Sequence, residues 1–278
     1  MAPKTAEQRI AIRAARPADA RAVRALCARI WSGDYVADVF REWVRDRRGR
    51  LWVATVDGTV AGVAKLTLLG DREAWLHGLR VDPRFRRRGI ATALASHRLD
   101  RARRLGARAA RLDTAEDNVA VQRIARHLGF TRIARLTLFV APARAGTMPR
   151  RATARDLASL WRLTQESDGL IHEAHTARRI QRADIGKAIR ARRAFRSGTG
   201  EARALALVVA VEERLRLPQL AGRGRAVADL LEGLRAVARA EGLRGVAARL
   251  DQRHWPSARA AGYRRAWDDA MFIFERRM

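Results

Sequence analysis

The chain has 278 residues, 48% of them hydrophobic, which is enough for one large or two ordinary domain cores, and its single cysteine excludes an intramolecular disulfide. No apolar run reaches the roughly 18 to 20 residues of a membrane-spanning helix, and no secretory signal opens the chain, so we expect a cytoplasmic protein without a membrane partner. The net charge of +28 would suit nucleic-acid binding, but the 57 basic residues are spread along the whole chain, so we do not expect nucleic acid as a partner.

Nearly all of this charge comes from arginine, because Lys4, Lys65 and Lys187 are the only lysines. Such a bias is typical of a GC-rich coding sequence, and we interpret most of the arginines as residues of solvated faces. The alternative is a basic surface that attracts acidic ligands.

The first half of the chain predicts alternating strands and helices. Pro17 stands early in the first helix, as helix starts favour, and Cys27 lies in its apolar pattern, which indicates a buried small residue or, as an alternative, a catalytic thiol. Asp57-Gly58 separates two β-rich runs and predicts a hairpin, and Gly106 ends the long third helix. The predicted strands are 9–15, 51–56, 59–69, 74–81, 107–114 and 131–140, and the predicted helices are 17–31, 36–47, 89–105 and 118–128.

The second half repeats this order of elements. Residues 142–149 contain two prolines and a glycine, and we interpret them as a linker. After the linker, GVAARLD (245–251) resembles ARAARLD (107–113), and each copy is followed by a short helix, a Gly-aromatic pair and an apolar strand. A repeat of about 130 residues predicts a tandem duplication, with an N-terminal domain at 1–141 and a C-terminal domain at 150–278.

The segment VDPRFRRRGIATAL (81–94) predicts a loop that binds an anion. A strand ends near Val81 and a helix opens near Gly89, and the N-terminus of a helix presents unpaired N–H groups and a positive dipole end, which bind phosphate. Gly89 allows close backbone approach. The segment is neither a Walker loop, which needs Gly-Lys-Ser/Thr, nor a dinucleotide-binding fingerprint, whose first two glycines are missing.

Residues 75–94 resemble the acetyl-CoA motif of the GCN5-related N-acetyltransferase (GNAT) superfamily, whose loop of Gln/Arg-x-x-Gly-x-Gly/Ala is here Arg86, Gly89 and Ala91. The resemblance covers residues 8–141. It implies an acetyl-CoA-dependent N-acetyltransferase with an α/β (α+β) fold, in which helices flank a mixed, mostly antiparallel central sheet in each domain. We predict no metal site and a monomer or homodimer.

The resemblance also implies how acetyl-CoA binds. The pantetheine arm would pair with the backbone of Leu79, Arg80 and Val81, and the N–H of Leu79 would hold the thioester carbonyl. Asn118 would contact coenzyme A, although a plain helix N-cap is the alternative. The pyrophosphate would lie on the N–H groups of seven loop residues: Arg86, Arg87, Arg88, Gly89, Ile90, Ala91 and Thr92.

Acetyl transfer to an amine requires a base, because an alkylammonium with a pKa near roughly 10 has to lose a proton. By the period of two, one face of the strand before the loop should carry Glu73, Trp75, His77 and Leu79. We predict His77 as the base, directly or through water, because it titrates near neutrality. Glu73 as base or relay is the second hypothesis, and a structural role for His77 is the third. WLHGLRV is also similar to the strand of arylalkylamine N-acetyltransferases in which a histidine is the base.

The acceptor pocket is expected around residues 31–44. GDYVADVFREWVRD is similar to a segment of histidine N-acetyltransferase-like proteins, which implies that Asp34 pairs with a substrate ammonium while Trp31 and Tyr35 form an apolar wall. Core packing of two short helices is the alternative. The partners are therefore predicted to be acetyl-CoA and a small amine or amino acid. The alternatives are a protein N-terminus or lysine as acceptor, and a non-catalytic module that binds nucleic acid.

The second half carries a formal Gln-x-x-Gly-x-Gly at Gln219, Gly222 and Gly224, directly after Pro218. Aligning the two prolines instead pairs Gly224 with Gly89, so the match is out of register. The segment after the second LD is shorter and contains no asparagine. We predict a degenerate copy that has lost coenzyme A binding.

Overall fold

The computed structural model describes residues 9–70, 72–173, 176–201, 203–267 and 270–278. These residues form a mixed α/β structure with a large, mostly antiparallel sheet flanked by helices, which confirms the predicted fold class. The tandem duplication stays a prediction. Within the described ranges, no helix is long and apolar enough to cross a membrane.

The strands are β1 Ile10–Ala14, β2 Gly49–Val56, β3 Thr59–Leu69, β4 Glu73–Val81, β5 Ala109–Ala115, β6 Thr131–Pro142, β7 Arg150–Arg151, β8 Leu170–Glu173, β9 Thr176–Arg179, β10 Ala194–Ser197, β11 Ala204–Val211, β12 Arg214–Gly222, β13 Gly245–Asp251, β14 Arg264–Arg265 and β15 Met271–Arg277. The helices are α1 Ala20–Ala28, α2 Val36–Arg45, α3 Ile90–Arg104, α4 Val119–His127, α5 Leu157–Gln165, α6 Arg182–Arg190, α7 Gly224–Ala240 and α8 Trp255–Ala260. The predicted elements are present, whereas α6, β10 and the β8–β9 hairpin were not foreseen.

The contacts divide the chain into two compact units. Among the described residues, the first unit comprises those up to Leu112, Val119–Thr131 and Glu275–Met278, and the second comprises Asp113–Asn118 and Arg132–Phe274. These units do not follow the chain order, because the last residues of β15 are counted with the first unit. The division at residues 142–149 stays a prediction.

In the first unit, β1, β2, β3 and β4 form an antiparallel sheet, and β5 adds to β4 in parallel. Asp57 and Gly58 both have positive φ, 48° and 80°, and join β2 to β3 as the predicted hairpin. Helices α1 and α2 pack on one face of this sheet, where Leu26 and Phe40 belong to the same buried cluster as Val63.

A β-bulge interrupts β4. Lys65 pairs with His77 and Val63 pairs with Arg80, so Gly78 and Leu79 together stand opposite the single residue Ala64. The extra residue shifts the alternation of side chains by one position. Arg80, and not the expected Leu79, therefore shares the face of His77, which corrects the face predicted from a strict period of two.

Trp43 and Arg98 stabilise this bulge from two sides. Gly78 has φ 62°, and a Cβ atom there would lie 2.5 Å from Cζ3 of Trp43, so only glycine fits without a shift. The buried guanidinium of Arg98 donates to the carbonyl oxygens of Lys65 at 3.0 Å and His77 at 3.1 Å. Arg98 thus satisfies carbonyl groups beside the bulge in the β3–β4 ladder.

In the second unit, the strand order is β6, β13, β12, β11, β10 and β7. β12 carries a bulge of the same kind, because Val209 pairs with Arg216 and Leu207 with Gln219, which leaves Leu217 and Pro218 opposite Val208. Only Arg223 separates β12 from α7, whereas residues 82–89 separate β4 from α3. Gln219 and Pro218 lie within β12, so the formal Gln-x-x-Gly-x-Gly is not a loop.

The bulge gives the first test. We expect Gly78→Ala to lower the free energy of unfolding by about 2–4 kcal/mol, because a left-handed φ costs about 1 kcal/mol and the new Cβ overlaps Trp43. Chemical denaturation followed by circular dichroism measures the change. Gly70→Ala is the control, since nothing lies within 4 Å of a Cβ at Gly70. Equal effects of the two substitutions would contradict the role of Gly78.

Candidate functional site

The loop between β4 and α3 leads into an exposed helix start. It runs through a 3-10 turn, Pro83–Phe85, and then through Arg87 and Gly89, which have φ 65° and 75°. Gly89 is the N-cap of α3 and no side chain caps the helix. The N–H of Ala93 makes the first helical bond, to the carbonyl of Gly89 at 2.9 Å. The preceding N–H groups at such a start are suited to bind an anion.

The seven predicted loop residues occupy this helix start in sequence. Arg86, Arg87, Arg88 and Gly89 are exposed, Ala91 and Thr92 are partly buried in the first turn, and Ile90 points into the core. The guanidinium of Arg88 lies over the ring of Phe85, 5.3 Å from its centroid. The exposed residues therefore surround the positive end of α3 with further positive charge.

Asp82 fixes the first turn of the loop. This fully buried carboxylate accepts hydrogen bonds from the backbone N–H of Arg84 at 3.0 Å, the Arg84 guanidinium at 2.9 Å and the Arg29 guanidinium at 2.6 Å. Burial alone would raise the pKa of Asp82, but the hydrogen bonds from Arg84 and Arg29 outweigh burial and hold the pKa far below its usual value. The ionised Asp82 therefore connects the loop to Arg29 at the end of α1 and stabilises its own turn through Arg84.

β4 and β5 separate next to this loop. Among the described residues, they pair in parallel only where Glu73–Trp75 lie beside Ala109–Arg111. The rest of β4, including the predicted cofactor residues Leu79, Arg80 and Val81, continues past the bulge without β5 as a ladder partner. Such an unpaired strand edge can bind an extended molecule through backbone hydrogen bonds.

His77 lies at this separation and is held by two side chains. Its Nε2 is 3.0 Å from Oγ1 of Thr67, and its ring meets the edge of Trp43 with centroids 4.7 Å apart. The side chain of His77 is partly buried, between sheet and solvent. A hydroxyl group can donate or accept, so Thr67 can satisfy Nε2 in both protonation states of the imidazole.

A buried lysine supports the same face. Lys65, the cross-strand partner of His77, is fully buried, and its ammonium is bound to the carboxylate of Asp46 and lies 3.5 Å from the carbonyl oxygen of Trp43. Burial lowers the pKa of Lys65 although Asp46 opposes the shift. Lys65 therefore joins the C-terminus of α2 to the strand opposite His77.

Glu73 belongs to a buried ion cluster. Arg111 donates to Glu73 Oε2 at 2.7 Å and to Glu73 Oε1 at 3.1 Å, and its Nε donates to Glu275 at 2.7 Å. Burial alone would lower the pKa of Arg111, but the two carboxylates outweigh it and raise that pKa. These contacts give Glu73 a structural function, and its part as a base or relay stays a prediction.

The three predicted acceptor residues surround Arg80. Its guanidinium binds both carboxylate oxygens of Asp34, at 2.6 and 3.0 Å, and lies 4.5 Å from the Trp31 centroid and 5.6 Å from the Tyr35 centroid. Trp31 is 48% exposed. A substrate ammonium would therefore meet an Asp34 carboxylate that Arg80 already holds in place.

Trp43 lies within the acceptor segment 31–44 expected from the sequence, whereas Lys65, Arg98 and the side chain of Arg80 were not predicted as parts of this site. Lys65 could have been found, because it is a charged residue within an apolar strand in a chain with only three lysines. Arg98 interrupts the apolar face of α3 in the same way. The orientation of Arg80 could not have been found without knowledge of the bulge.

The structure also shows where Cys27 and Asn118 lie. Burial raises the pKa of the Cys27 thiol to about 12, which favours the interpretation as a buried apolar residue over a reactive thiol. Asn118 directly precedes α4 and is counted with the second unit. Its contact with coenzyme A stays a prediction.

Comparison with known proteins gives a consistent result. The sequence profile of the acetyltransferase (GNAT) family matches residues 19–130. No curated protein matches the chain in sequence. The solved structure of a GCN5-related N-acetyltransferase from Sphaerobacter thermophilus has a TM-score of 0.65 at 17% identity and covers 96% of this chain and 95% of its own.

Two further solved structures have a similar fold. A GCN5-related N-acetyltransferase from Kribbella flavida has a TM-score of 0.55 at 20% identity and covers 98% of this chain and 71% of its own. A glucosamine N-acetyltransferase region of a fungal multi-domain GH3 β-N-acetylglucosaminidase has a TM-score of 0.63 at 13% identity, with 96% and 38% covered. At these identities, the similarity shows the fold.

Asp82 gives the test of the loop. We expect Asp82→Asn to lower the free energy of unfolding by about 1–3 kcal/mol at pH 7, because hydrogen bonds to a charged group are lost. Since the folded pKa lies below the unfolded value of about 3.9, the carboxylate contributes its stability above that value and loses it as the pH falls. Denaturation from pH 7 to 3 should therefore show a difference between wild type and variant that shrinks below about pH 4.

Asp100→Asn is the control for this experiment, since Asp100 forms an exposed pair with Arg103 on α3. We expect a change of less than about 0.5 kcal/mol for the control. A difference for Asp82→Asn that grows toward low pH would contradict the assignment.

Proposed function

We propose that this chain, whose residues 19–130 match the acetyltransferase (GNAT) family profile, is an acetyltransferase that transfers an acetyl group from acetyl-CoA directly to the primary amine of a small molecule. The observation that carries the proposal is the uncapped, exposed start of α3 at Gly89 beside the separation of β4 and β5. The first feature suits a pyrophosphate and the second suits an extended pantetheine arm.

The residues of the first unit fit acetyl-CoA in charge and shape. The N–H groups from Arg86 to Thr92 would hold the pyrophosphate, and the backbone of Leu79, Arg80 and Val81 would hold the arm. When bound, acetyl-CoA supplies the acetyl group as a reactive thioester. Gly89 keeps the helix start accessible, because nothing lies within 4 Å of the position of a Cβ atom there.

His77 acts as the base in this proposal. It is partly buried on the strand that borders the cleft, and Thr67 and Trp43 fix its ring. The imidazole accepts the proton of the acceptor ammonium, directly or through water, and Thr67 then accepts or donates as the protonation state requires. Fixing the ring before the acceptor arrives keeps the base at the point of attack.

The acceptor amine binds at Trp31, Asp34 and Tyr35. Asp34 shares its charge between Arg80 and the substrate ammonium, while the half-exposed ring of Trp31 covers apolar parts of the acceptor. A net charge of +28 disfavours the approach of basic protein segments, which supports a small acceptor. The similarly folded fungal region is named a glucosamine N-acetyltransferase, so this fold accommodates small amines.

The chain contains one acetyl-CoA site in this proposal. The second unit has one residue, Arg223, where the first has the loop 82–89. Its bulge contains Pro218, which has no N–H to donate at the place that Leu79 has in the first unit. We therefore regard residues 150–278 as a degenerate GNAT-like domain and residues 1–141 as the catalytic one.

A turnover screen tests the acceptor class. Release of the coenzyme A thiol is followed with amino acids, polyamines and aminoglycosides, and in parallel with peptides that offer a terminal amine or lysine. We expect turnover with a small amine. Turnover with the peptides and with none of the small amines would contradict the proposal and indicate a protein acceptor.

The cofactor site is tested by Gly89→Glu. We expect the affinity for acetyl-CoA, measured by calorimetry, to fall at least 100-fold, because the new carboxylate repels the pyrophosphate at the helix start. Gly106→Glu is the matched control: Gly106 also has positive φ and open space, but it lies at the other end of α3. Unchanged binding by Gly89→Glu would place the cofactor elsewhere.

The base is tested by His77→Gln. Glutamine can bond to Thr67 but does not titrate near neutrality, so kcat should fall by about 10²-fold or more while the affinity for acetyl-CoA changes little. The acidic limb of the pH–rate profile should disappear. His97→Gln is the control, since His97 on α3 also meets a tryptophan edge-on, Trp52 of β2. A variant profile identical to the wild type excludes His77 as the base.

A further inference from the structure

The second unit contains a pocket that acetyl transfer does not use. Its floor is the face of β6, β12 and β13 that carries Leu138 and Ala247, and its volume is about 380 Å³. All of its lining residues belong to the second unit. The apolar residues Leu215, Val246 and Phe139 of the same three strands belong to the core cluster that contains Leu230 and Leu234 of α7.

Three guanidinium groups lie in this pocket: Arg214 and Arg216 of β12 and Arg249 of β13. Among the described residues, the side chains of Arg214 and Arg249 have no acceptor within hydrogen-bonding or ion-pair distance. Nε of Arg216 is buried and also has no partner, while its NH2 group binds the exposed Glu212 at 3.0 Å. Three neighbouring cations with one exposed carboxylate leave an excess of positive charge in a partly desolvated space.

The electrostatics of Arg249 show the same excess. Burial lowers the pKa of Arg249, and the positive charge of Arg216 lowers it further, while Asp113 opposes the shift only in part. A guanidinium stays protonated in proteins, so such a shift reflects an unfavourable charge that a bound anion would relieve.

Two further side chains shape the walls. His172 of β8 lines the pocket with its Nε2 3.4 Å from the partly buried carboxylate of Asp168, which orients the ring. Trp267 lines it too and is 63% exposed, the most exposed of the large hydrophobic residues described. An exposed indole beside arginine groups is suited to stack on a planar ring of a ligand.

We propose that this pocket is a binding site for a small aromatic anion, whose phosphate or carboxylate pairs with Arg214, Arg216 and Arg249 and whose planar ring stacks on Trp267. Guanidinium groups bind both kinds of anion in bidentate geometry. The volume of the pocket accommodates one such ligand, of the size of a pyrimidine nucleotide.

The position of the pocket supports this assignment. Arg216 precedes the bulge of β12 as His77 precedes the bulge of β4, so the arginine cluster occupies the strand face that carries the base in the first unit. In chain order, β8, which carries His172, follows α5 in the same way as the segment around Asp34 follows α1. The second unit has thus lost the cofactor loop but has kept a pocket at the acceptor position, with cations in place of a base.

The test uses the full chain saturated with acetyl-CoA, so that added nucleotides do not enter the cofactor site. Binding of UMP, orotate, uridine and inorganic phosphate is measured by calorimetry. We expect UMP or orotate to bind more tightly than uridine, which has no anionic group, and more tightly than phosphate, which has no ring. Arg249→Gln should weaken that binding at least tenfold, and Trp267→Ala about fivefold or more.

Arg259→Gln is the matched control, since it removes the same charge from an exposed position on α8 that does not line the pocket. Equal losses with Arg249→Gln and Arg259→Gln would show a diffuse charge effect and overturn the proposal. Phosphate that binds as tightly as UMP, with no effect of Trp267→Ala, would overturn the aromatic ligand. Absence of binding by all four probes would overturn the site, whatever the acetyl-transfer activity shows.

Discussion

One extra residue in β4 determines the geometry of this strand in the first unit. Because Gly78 and Leu79 stand opposite Ala64, the side chains that follow in β4 change to the other face of the sheet. This change lies just beyond the residues that pair with β5. That change brings Arg80 to the side of His77 and directs the chain toward the loop before α3. The indole of Trp43 fills the space that any other residue at position 78 would need. The orientation of Arg80 toward Asp34 and the course of β4 toward α3 therefore depend on the same contact.

Arginine performs several structural functions in this molecule, beyond covering solvated faces. Arg98 caps carbonyl groups beside the bulge, Arg111 joins two buried carboxylates, and Arg80 connects Asp34 to two aromatic rings. Each of these guanidinium groups has five donors in a fixed plane, which a lysine cannot replace. A chain so rich in arginine can therefore satisfy buried acceptors with long side chains from neighbouring elements.

Most of the fold and the position of the loop before α3 could be predicted from the sequence, because the hydrophobic period, the Asp57-Gly58 turn and Gly89 are local signals. The side-chain partners could not. The bulge changes the face of every later residue in β4, so Arg80 was predicted to act only through its backbone. Asp34 was predicted to pair with a substrate ammonium, but its carboxylate already binds the guanidinium of Arg80. The formal Gln-x-x-Gly-x-Gly at Gln219, already out of register in the sequence, runs through the end of β12, because a strand and a loop can carry the same residue pattern.

The ion cluster around Arg111 has a consequence for how the protein is made. Arg111 and Glu73 lie in the first part of the chain, but the second carboxylate comes from Glu275, next to Arg276, which bonds to the carbonyl of Leu128. During synthesis, the ribosome delivers these residues after the rest of the first unit has emerged. The first unit therefore completes its packing only after residues 275–276 have been made, once the whole second unit has been synthesised.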